Sequence, residues 1–345
     1  MPHYRAVAQA PAATPDRIGV MLVNLGTPQS PTYFAVQRYL REFLADRRVI
    51  NTSPWIWLPI LYGIVLPLRP IKSARNYRQI WMPEGSPLAV YSKRLAAKIE
   101  RRLDGLLGDR ARVALAMTYG DPSIETAVHA LAQENVKRLL VLPLYPQYCS
   151  STTGSVFDGT VHALSHWRWL PETRFVNDYY AEPGYAEALA ARIEEHWRDA
   201  GERSHLLFSY HGIPLDYVNQ GDPYRAQAEA TTRMVAAHLG LEQGAWSHCY
   251  QSRFGRVAWL QPYTEDAIRE LAARGVRKLT VVSPSFAVDC LETLQEVAIE
   301  YAHKFREFGG ERLTLVPALN DEDRHADLLT AVIRRQLSGW LGSGA

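Results

Sequence analysis

The largely apolar run 206–210 ends at His211, the residue best suited to chemistry in this sequence. Gly212 and Pro214 follow, and an apolar run that stops at such residues is typical of a buried parallel strand that passes into a loop. In open α/β sheets, ligands bind beyond the carboxyl ends of the strands, so His211 is expected to face a ligand. A histidine there can accept a proton or bind a metal as neutral imidazole. The stretch by itself fits equally well a histidine that only hydrogen-bonds the backbone.

A second group of residues suited to chemistry is acidic and regularly spaced, and consists of Asp289, Glu292, Glu296 and Glu300. Separations of three and four residues predict that these carboxylates share one face of a helix. Because the row follows a buried strand, it is expected at the same edge of a sheet as the histidine. Such a row can bind a hard or borderline cation, or carry protons away from a site. The spacing also fits an ordinary solvated helix face, and it leaves the two interpretations open.

Composition limits the class of protein. A chain of 345 residues suits two domains of roughly 150–170 residues each, and 47% hydrophobic with 21% charged residues is typical of a soluble globular protein. The formal net charge of +2 gives no reason to expect a nucleic-acid partner. Cys149, Cys249 and Cys290 are too widely spaced for a disulfide framework or a zinc site, which fits a reducing compartment.

Residues 1–17 are rich in alanine and proline and lack the apolar core of a signal peptide, so a disordered tail is expected. No run of eighteen apolar residues is present, so no membrane span is expected.

The segment 49–68 contains no charged residue, and its three prolines and one glycine argue against a single spanning helix. Basic residues flank it: Arg47, Arg48, Arg69, Lys72, Arg75 and Arg78. One interpretation is a broken apolar lip that touches a bilayer surface or admits an apolar ligand. The other is a buried helix pair, and the composition favours neither.

Two stretches of the chain repeat each other at a constant separation of 140 residues. Pro122, Glu125, Ala127, Leu131, Val136 and Val141 recur as Pro262, Glu265, Ala267, Leu271, Val276 and Val281. In the first copy, Asp121 and Pro122 are expected to begin a helix, with the aspartate as its cap. Two matching strand–helix–strand units predict an α/β protein with two similar Rossmann-like lobes, each a parallel sheet flanked by helices, that face one another across a cleft.

The expected domain boundaries follow from the repeat. The first lobe comprises residues 18–145 and about 315–341, with the lip inserted near 49–68. The second lobe, 146–314, carries the histidine and the acidic helix. The final helix is expected to pack on the first lobe.

The chain resembles the ferrochelatases, which insert ferrous iron into protoporphyrin IX in the last step of haem synthesis. The resemblance extends from about residue 19 to residue 341, nearly the whole chain. Its motifs, in order, are Asn24–Pro28, Tyr145–Tyr148 with Ser151–Gly154, Ser209–Gly212, Gly221–Tyr224, Gln251-Ser252 with Trp259-Leu260, and Asp289-x-x-Glu292-Thr293-Leu294. The family's fold has two Rossmann-like lobes around a porphyrin cleft, in agreement with the repeat.

The resemblance implies roles for particular residues. His211 matches the family's catalytic histidine and Glu292 the carboxylate opposite it, the two positions assigned to iron. The row that leads away from the site as a proton relay or metal path corresponds to Asp289, Glu296 and Glu300. The residues that line the porphyrin correspond to Leu25, Tyr119 and Trp259, and Arg69 and Lys72 fall where some members hold the propionates.

The resemblance also implies the partners. Protoporphyrin IX and Fe²⁺ are substrates, and no prosthetic group is expected. Some members bind an iron–sulfur cluster through cysteines in a C-terminal extension, but no cysteine follows Cys290, so no cluster is expected. We expect a cytoplasmic monomer with peripheral membrane contact through the 49–68 lip. Two alternatives stay open: a chelatase for another metal or tetrapyrrole, such as iron into coproporphyrin III, and a two-lobed carrier that binds without chemistry.

Overall fold

The structure is a computed structural model and describes residues 17–255 and 257–341. Of the expected disordered tail, residues 1–16 lie outside this range, whereas Arg17 begins the first strand.

The strands of the described residues form two sheets. In chain order they are β1 (Arg17–Gly26), β2 (Ala111–Tyr119), β3 (Val136–Pro143), β4 (Glu172–Phe175), β5 (His205–His211), β6 (Trp246–Gln251), β7 (Lys278–Val282) and β8 (Arg312–Leu315).

The α-helices of the described residues surround these strands in sequence. They are α1 (Tyr33–Ala45), α2 (Pro54–Ile60), α3 (Leu66–Ile80), α4 (Pro87–Leu107), α5 (Ile124–Gln133), α6 (Ser155–Ser165), α7 (Pro183–Ala200), α8 (Leu215–Asn219), α9 (Tyr224–His238), α10 (Thr264–Ala273), α11 (Ala302–Glu307) and α12 (Asp323–Gln336). Leu61–Val65, Ser150–Gly154 and Glu292–Tyr301 are π-helical, and Gly108–Arg110 is a 3₁₀ turn.

The chain divides into two compact units. The first contains the described residues up to 144 together with 150–177 and 321–341, and the second contains 145–149 and 178–320. The sequence predicts that 146–314 form one lobe, but 150–177 belong to the first unit because β4 pairs with β3. The final helix, α12, lies in the first unit, as expected, where Arg102 of α4 pairs with Asp327.

The first unit has a parallel four-stranded sheet in the order β2-β1-β3-β4. Its central strand β1 reads as a nearly continuous apolar run, which suits a parallel strand covered on both faces. At its end, a Cβ on Gly26 would lie 1.8 Å from the Tyr119 carbonyl oxygen, and the φ of Gly26 is +107°. Only glycine fits this close approach of β1 and β2.

The second unit has a parallel sheet in the order β6-β5-β7-β8. One side of this sheet is closed by a core that includes Ile268 of α10, Leu279 of β7, Val297 of the π-helix and Phe305 of α11. This packing seats the π-helix against the strands and so fixes the acidic residues that it carries.

The two sheets share one plan: in each, the first strand in sequence is flanked by the second and third, and the fourth pairs with the third. The repeat predicted from the 140-residue spacing is therefore confirmed as two parallel α/β units. The predicted helix cap is wrong, because α5 begins at Ile124 and Ser123 accepts the hydrogen bond from the Thr126 amide. Asp121 lies before this capped turn.

The 49–68 segment is helical from Pro54 onwards and mostly exposed, although Leu61 and Leu66 are buried. Pro54–Ile80 forms one helical run, and among the described residues it is the single helix long and apolar enough to cross a membrane. The π-helical segment Leu61–Val65 lies between Pro59 and Pro67, which cannot donate backbone hydrogen bonds. The run is held to α1 by Gln37, whose side chain donates to the Leu66 carbonyl.

Candidate active site

His211 is the last residue of β5 and pairs with Gln251, the last residue of β6. Its Nδ1 lies 2.7 Å from the Gly212 carbonyl oxygen. Because a carbonyl only accepts hydrogen bonds, Nδ1 carries the proton of the neutral ring and Nε2 keeps its lone pair. Nε2 of this half-buried ring is therefore the atom that can accept a proton or bind a metal.

Trp259 lies against the loop that follows the histidine. The Leu260 amide donates to the Ile213 carbonyl at 3.0 Å, which joins the two segments. A Cβ on Gly212 would lie 3.2 Å from the Trp259 ring, so the indole packs directly on this glycine. The indole nitrogen donates to the Phe254 carbonyl at 2.8 Å. These contacts fix the indole against Gly212, the residue that follows His211.

The predicted acidic helix is a π-helix, Glu292–Tyr301, and not an α-helix. Its hydrogen bonds run from i to i+5, and such helices are rare and concentrated at functional sites. Because one turn then holds between four and five residues, side chains four or five apart approach one another. The Tyr301 hydroxyl accordingly donates to Glu296 Oε1 at 2.9 Å.

Glu296 is half-buried, and the chain supplies it with several donors. Oε2 accepts hydrogen bonds from the Ser252 hydroxyl and, at 3.4 Å, from Gln251 Nε2. Ser252 has a φ of +66°, the left-handed region that non-glycine residues rarely adopt and that recurs at functional sites. Burial raises the pKa of Glu296, although the hydrogen bonds from Ser252 and Tyr301 oppose this rise.

His211, Glu292 and Glu296 form one electrostatic group. The charge of His211 lowers the pKa of Glu296 and that of Glu292 raises it, although burial is the largest influence. A proton on the imidazole therefore favours the Glu296 anion. Among the described residues, no three His, Cys, Asp or Glu side chains are grouped closely enough to form a metal cage.

The prediction that Asp289 shares the acidic helix face is wrong. It lies before the π-helix and is 3% exposed. Its carboxylate accepts hydrogen bonds from Thr293 Oγ1 at 2.8 Å, Asn320 Nδ2 at 2.7 Å and the Ala318 amide at 3.3 Å. Burial raises the pKa of Asp289, and these donors oppose the rise. The carboxylate thus fastens the start of the π-helix to the segment after β8.

Glu300 stands at the other end of the row, in a different environment from Glu296. Lys304 Nζ lies 3.1 Å from Glu300 Oε1 and 2.7 Å from Glu265 Oε2. Partial burial lowers the pKa of Lys304, but the hydrogen bonds to the two carboxylates outweigh it and raise the pKa above its ordinary value. A permanent cation therefore accompanies the outer end of the row.

Two expected porphyrin-lining residues lie in the first unit, at the carboxyl ends of its strands. Leu25 is half-buried near the end of β1, and Tyr119 ends β2 in register with Gly26. The Tyr119 hydroxyl donates to Asp46 at 2.7 Å, and the ring packs on Phe43 with centroids 5.2 Å apart. The tyrosine is thus held by a hydrogen bond and an aromatic contact.

Arg69 and Lys72 lie in α3, and both are exposed. They accompany an exposed apolar surface, which we call the apolar face. It consists of Trp55, Ile56, Leu58, Ile60, Tyr62, Ile64, Leu68 and Ile71.

The sequence gives no role to three residues that contact Glu296: Gln251, Ser252 and Tyr301. Gln251 ends the strand that pairs with β5 and Ser252 follows it, so a prediction of strand order would have placed them beside the histidine. Tyr301 could be predicted to contact Glu296 only if the π-helix were recognised, because it lies five positions after Glu296.

Comparison with known proteins agrees with this arrangement. A family model for ferrochelatase matches residues 17–337. Ferrochelatase 1 of Shewanella oneidensis is 44% identical over 325 residues, which is 94% of this chain and 97% of the relative. The ferrochelatase of Nitrosococcus oceani is 45% identical over 335 residues, or 96% of this chain and 91% of the relative.

Solved structures show the same fold at low identity. SirB from Bacillus subtilis with Fe³⁺ has a TM-score of 0.53 at 12% identity, and covers 95% of this chain and 98% of its own. CbiX, the terminal enzyme of sirohaem biosynthesis in denitrifying bacteria, has a TM-score of 0.51 at 14% identity, over 93% and 100% of the two chains. With the family model and the relatives above, these observations lead to one conclusion: the chain belongs to the ferrochelatase family, the metal chelatases that insert ferrous iron into a porphyrin in the terminal step of haem biosynthesis.

Proposed function

We propose that the chain inserts Fe²⁺ into protoporphyrin IX to give protohaem and two protons, and that His211 and Glu292 act directly on the reactants. The observation that carries the proposal is the imidazole whose Nδ1 proton is held by the Gly212 carbonyl, which leaves Nε2 available next to acidic groups. Insertion needs a base for the pyrrole protons and ligands for a dication. A neutral imidazole and carboxylates supply both.

His211 Nε2 accepts a pyrrole proton or binds the incoming iron. Either event places a positive charge beside Glu296, and that charge favours its ionised form. Glu292 at the start of the π-helix serves as a carboxylate ligand for iron, and Glu296 accepts protons. The donors from Ser252 and Tyr301 support this role because they stabilise the anion of a half-buried carboxyl group.

The porphyrin is held by rigid walls. Trp259, fixed against Gly212, and Leu25 and Tyr119 at the strand ends of the first unit line its faces. Such walls bind the macrocycle in a bent form, so that binding energy offsets the strain that exposes the nitrogen lone pairs. Arg69 and Lys72 pair with the propionates.

Iron is a substrate in this proposal, and the protein uses neither a prosthetic group nor an iron–sulfur cluster. The three cysteines of the sequence are buried, and burial raises the pKa of Cys249 to about 12, so this thiol does not ionise readily as a metal ligand. We assign the protein to the cytoplasm as a monomer.

Peripheral membrane contact occurs through the apolar face. Trp55 is 91% exposed and Leu68 is 63% exposed. A large group of exposed apolar side chains marks a surface that contacts a membrane or another protein. Basic residues of α3, including Arg75 and Arg78, lie on the same helical run. Apolar side chains next to cations are the pattern that lets a helix lie in the surface of an anionic bilayer.

The decisive experiment is anaerobic absorbance of the protein with protoporphyrin IX and Fe²⁺, run beside His211→Ala and His205→Ala. His205 begins the same strand and its Nε2 contacts Ser247, so it controls for loss of a histidine in β5. We expect turnover in the wild type and in His205→Ala, and porphyrin binding without turnover in His211→Ala.

Retained turnover in His211→Ala would overturn the assignment of the histidine. Stoichiometric porphyrin binding by the wild type, with no spectral change on addition of iron, would identify a carrier. A parallel reaction with coproporphyrin III distinguishes the two porphyrins, and faster insertion into it would overturn the choice of protoporphyrin.

A further inference from the structure

The side chain of Gln251 joins β5, the strand that ends at His211, to the helix that carries Glu292 and Glu296. It is 2% exposed. Its Oε1 accepts a hydrogen bond from Ser209 Oγ at 2.7 Å, two residues before His211 in β5. Its Nε2 donates to the Glu292 carbonyl at 3.0 Å and to Glu296 Oε2 at 3.4 Å. One amide therefore contacts both β5 and the π-helix that carries Glu292 and Glu296.

The backbone of Gln251 acts at the same place. Its carbonyl accepts a hydrogen bond from the Gly212 amide at 2.8 Å, which continues the β5–β6 pairing one residue past His211. The carbonyl of Gly212 in turn receives the proton of the imidazole Nδ1. The peptide that orients the imidazole is thus held in place by the residue whose side chain holds the π-helix.

The orientation of the amide follows from its partners. The Glu292 carbonyl can only accept, so it must face the NH₂ group, and the oxygen then faces Ser209. This leaves an amide proton for Glu296. Ser252, Tyr301 and Gln251 donate hydrogen bonds to that carboxylate. The charge of His211 favours the ionised form of Glu296, and the charge of Glu292 disfavours it. Lys304 lies beyond the Tyr301 ring, 5.6 Å from the ring centroid.

We propose that Gln251 is a positioning residue, whose amide sets the placement of Glu292 relative to His211 and supports the ionised form of Glu296. The proposal rests on the chelatase function proposed above. Glutamine suits both duties because a single planar group offers an acceptor to the strand and two donors to the helix. Methionine has a similar length and no donor, and glutamate has the same shape with a charge that would repel Glu296.

The test compares Gln251→Met with Gln147→Met. Gln147 is also 2% exposed in the second unit, and its Nε2 donates to Thr231 Oγ1 at 3.0 Å, so it controls for loss of a buried amide. We expect kcat for iron insertion to fall about 10- to 100-fold in Gln251→Met, the usual effect of removing such a supporting partner. The KM for porphyrin should stay within about twofold, since the walls are untouched.

The pH profile separates positioning from a general loss of structure. Without the amide donor the pKa of Glu296 rises, so the acidic limb of kcat against pH moves to higher pH in Gln251→Met and stays in place in Gln147→Met. The proposal would be overturned if Gln251→Met kept both the wild-type kcat and the wild-type position of the acidic limb of the pH profile.

A measurement that does not require turnover tests the role of Gln251 independently of the proposed chelatase function. In protein labelled with ¹³C at the glutamate carboxyls, with Glu296→Gln for assignment, the Glu296 signal should titrate about half a pH unit higher in Gln251→Met than in the wild type. The same titration in both proteins would overturn the role of Gln251 even if the wild type proved inactive. An inactive wild type with a shifted titration would overturn only the chelatase proposal.

Discussion

The Tyr301 hydroxyl donates to Glu296 Oε1 at 2.9 Å from five residues further along the same helix. In an α-helix these two residues would point in different directions, so the contact depends on the π-helical turn. Tyr301 is buried and Glu296 is half-buried, and a carboxylate that is withdrawn from water is unstable without donors.

Tyr301→Phe should therefore lower the free energy of unfolding by about 1–2 kcal/mol, because a half-buried carboxylate loses a donor. Tyr250→Phe is the matched control: Tyr250 is 2% exposed, but its hydroxyl contacts no partner among the described residues. Removing that hydroxyl should be neutral or stabilising. Urea unfolding measures the change in the free energy of unfolding of each variant. Equal changes in the two variants would show that the hydrogen bond from Tyr301 to Glu296 does not stabilise the protein.

Asp289→Asn should destabilise the second unit by about 2–3 kcal/mol. The substitution places a donor group among the donors from Thr293, Asn320 and Ala318, so at least one of them faces another donor. Asp216→Asn on exposed α8 should have almost no effect. Thermal unfolding gives the comparison, and an unchanged midpoint for Asp289→Asn would show that the carboxylate does not fasten the π-helix.

His248 should make the protein less stable in mild acid. Burial lowers its pKa to about 4, from an ordinary value of 6.5. Below pH 6.5 the unfolded chain binds a proton that the folded protein does not, so the free energy of unfolding falls as the pH drops towards 4. The loss from this residue should reach about 2.5 kcal/mol at pH 4.5.

His248→Asn removes this titration, so its unfolding free energy should depend less steeply on pH between 6.5 and 4.5. Urea unfolding at several pH values measures the two slopes. Parallel curves for the variant and the wild type would show that the buried histidine is protonated in the folded state.

Replacement of Trp55 and Ile56 by serine should weaken co-sedimentation with anionic liposomes about tenfold or more, since each large side chain adds apolar area to the bilayer contact. Trp57 is unsuitable for this test because its indole nitrogen donates to the Leu44 carbonyl at 2.7 Å and anchors the helix. Phe157 and Val161, exposed on α6, provide the control pair. Equal sedimentation of the wild type and the Trp55/Ile56 variant would argue against membrane contact at the apolar face.

The repeat and the strand ends could be predicted from the sequence because local signals carry them. Apolar runs that stop at Gly26 and at His211 mark buried parallel strands, and the 140-residue spacing reveals two copies of a unit. Each strand and each copy of the unit is a short stretch of chain, so periodicity and turn residues are sufficient to recognise it.

The π-helix and the place of Asp289 could not be predicted in this way. A spacing of four fits one turn of either an α-helix or a π-helix, so Glu292 and Glu296 look the same in both. Asp289 joins Asn320 through contacts between distant parts of the chain. The sequence pattern does not predict the helix through Pro59 and Pro67 either, because it treats prolines as breaks that a π-helical segment accommodates.

The shared strand order of the two units has an evolutionary consequence. Two copies of one plan within a single chain are the expected result of duplication and fusion of a shorter gene. After such an event one copy can keep the reactive side chains while the other is released from that selection. Here the second copy holds the histidine and the acids, and the first holds the long helical insertion with its exposed tryptophan. A duplication of this kind would allow a new surface to arise in one unit without altering the candidate site residues of the other.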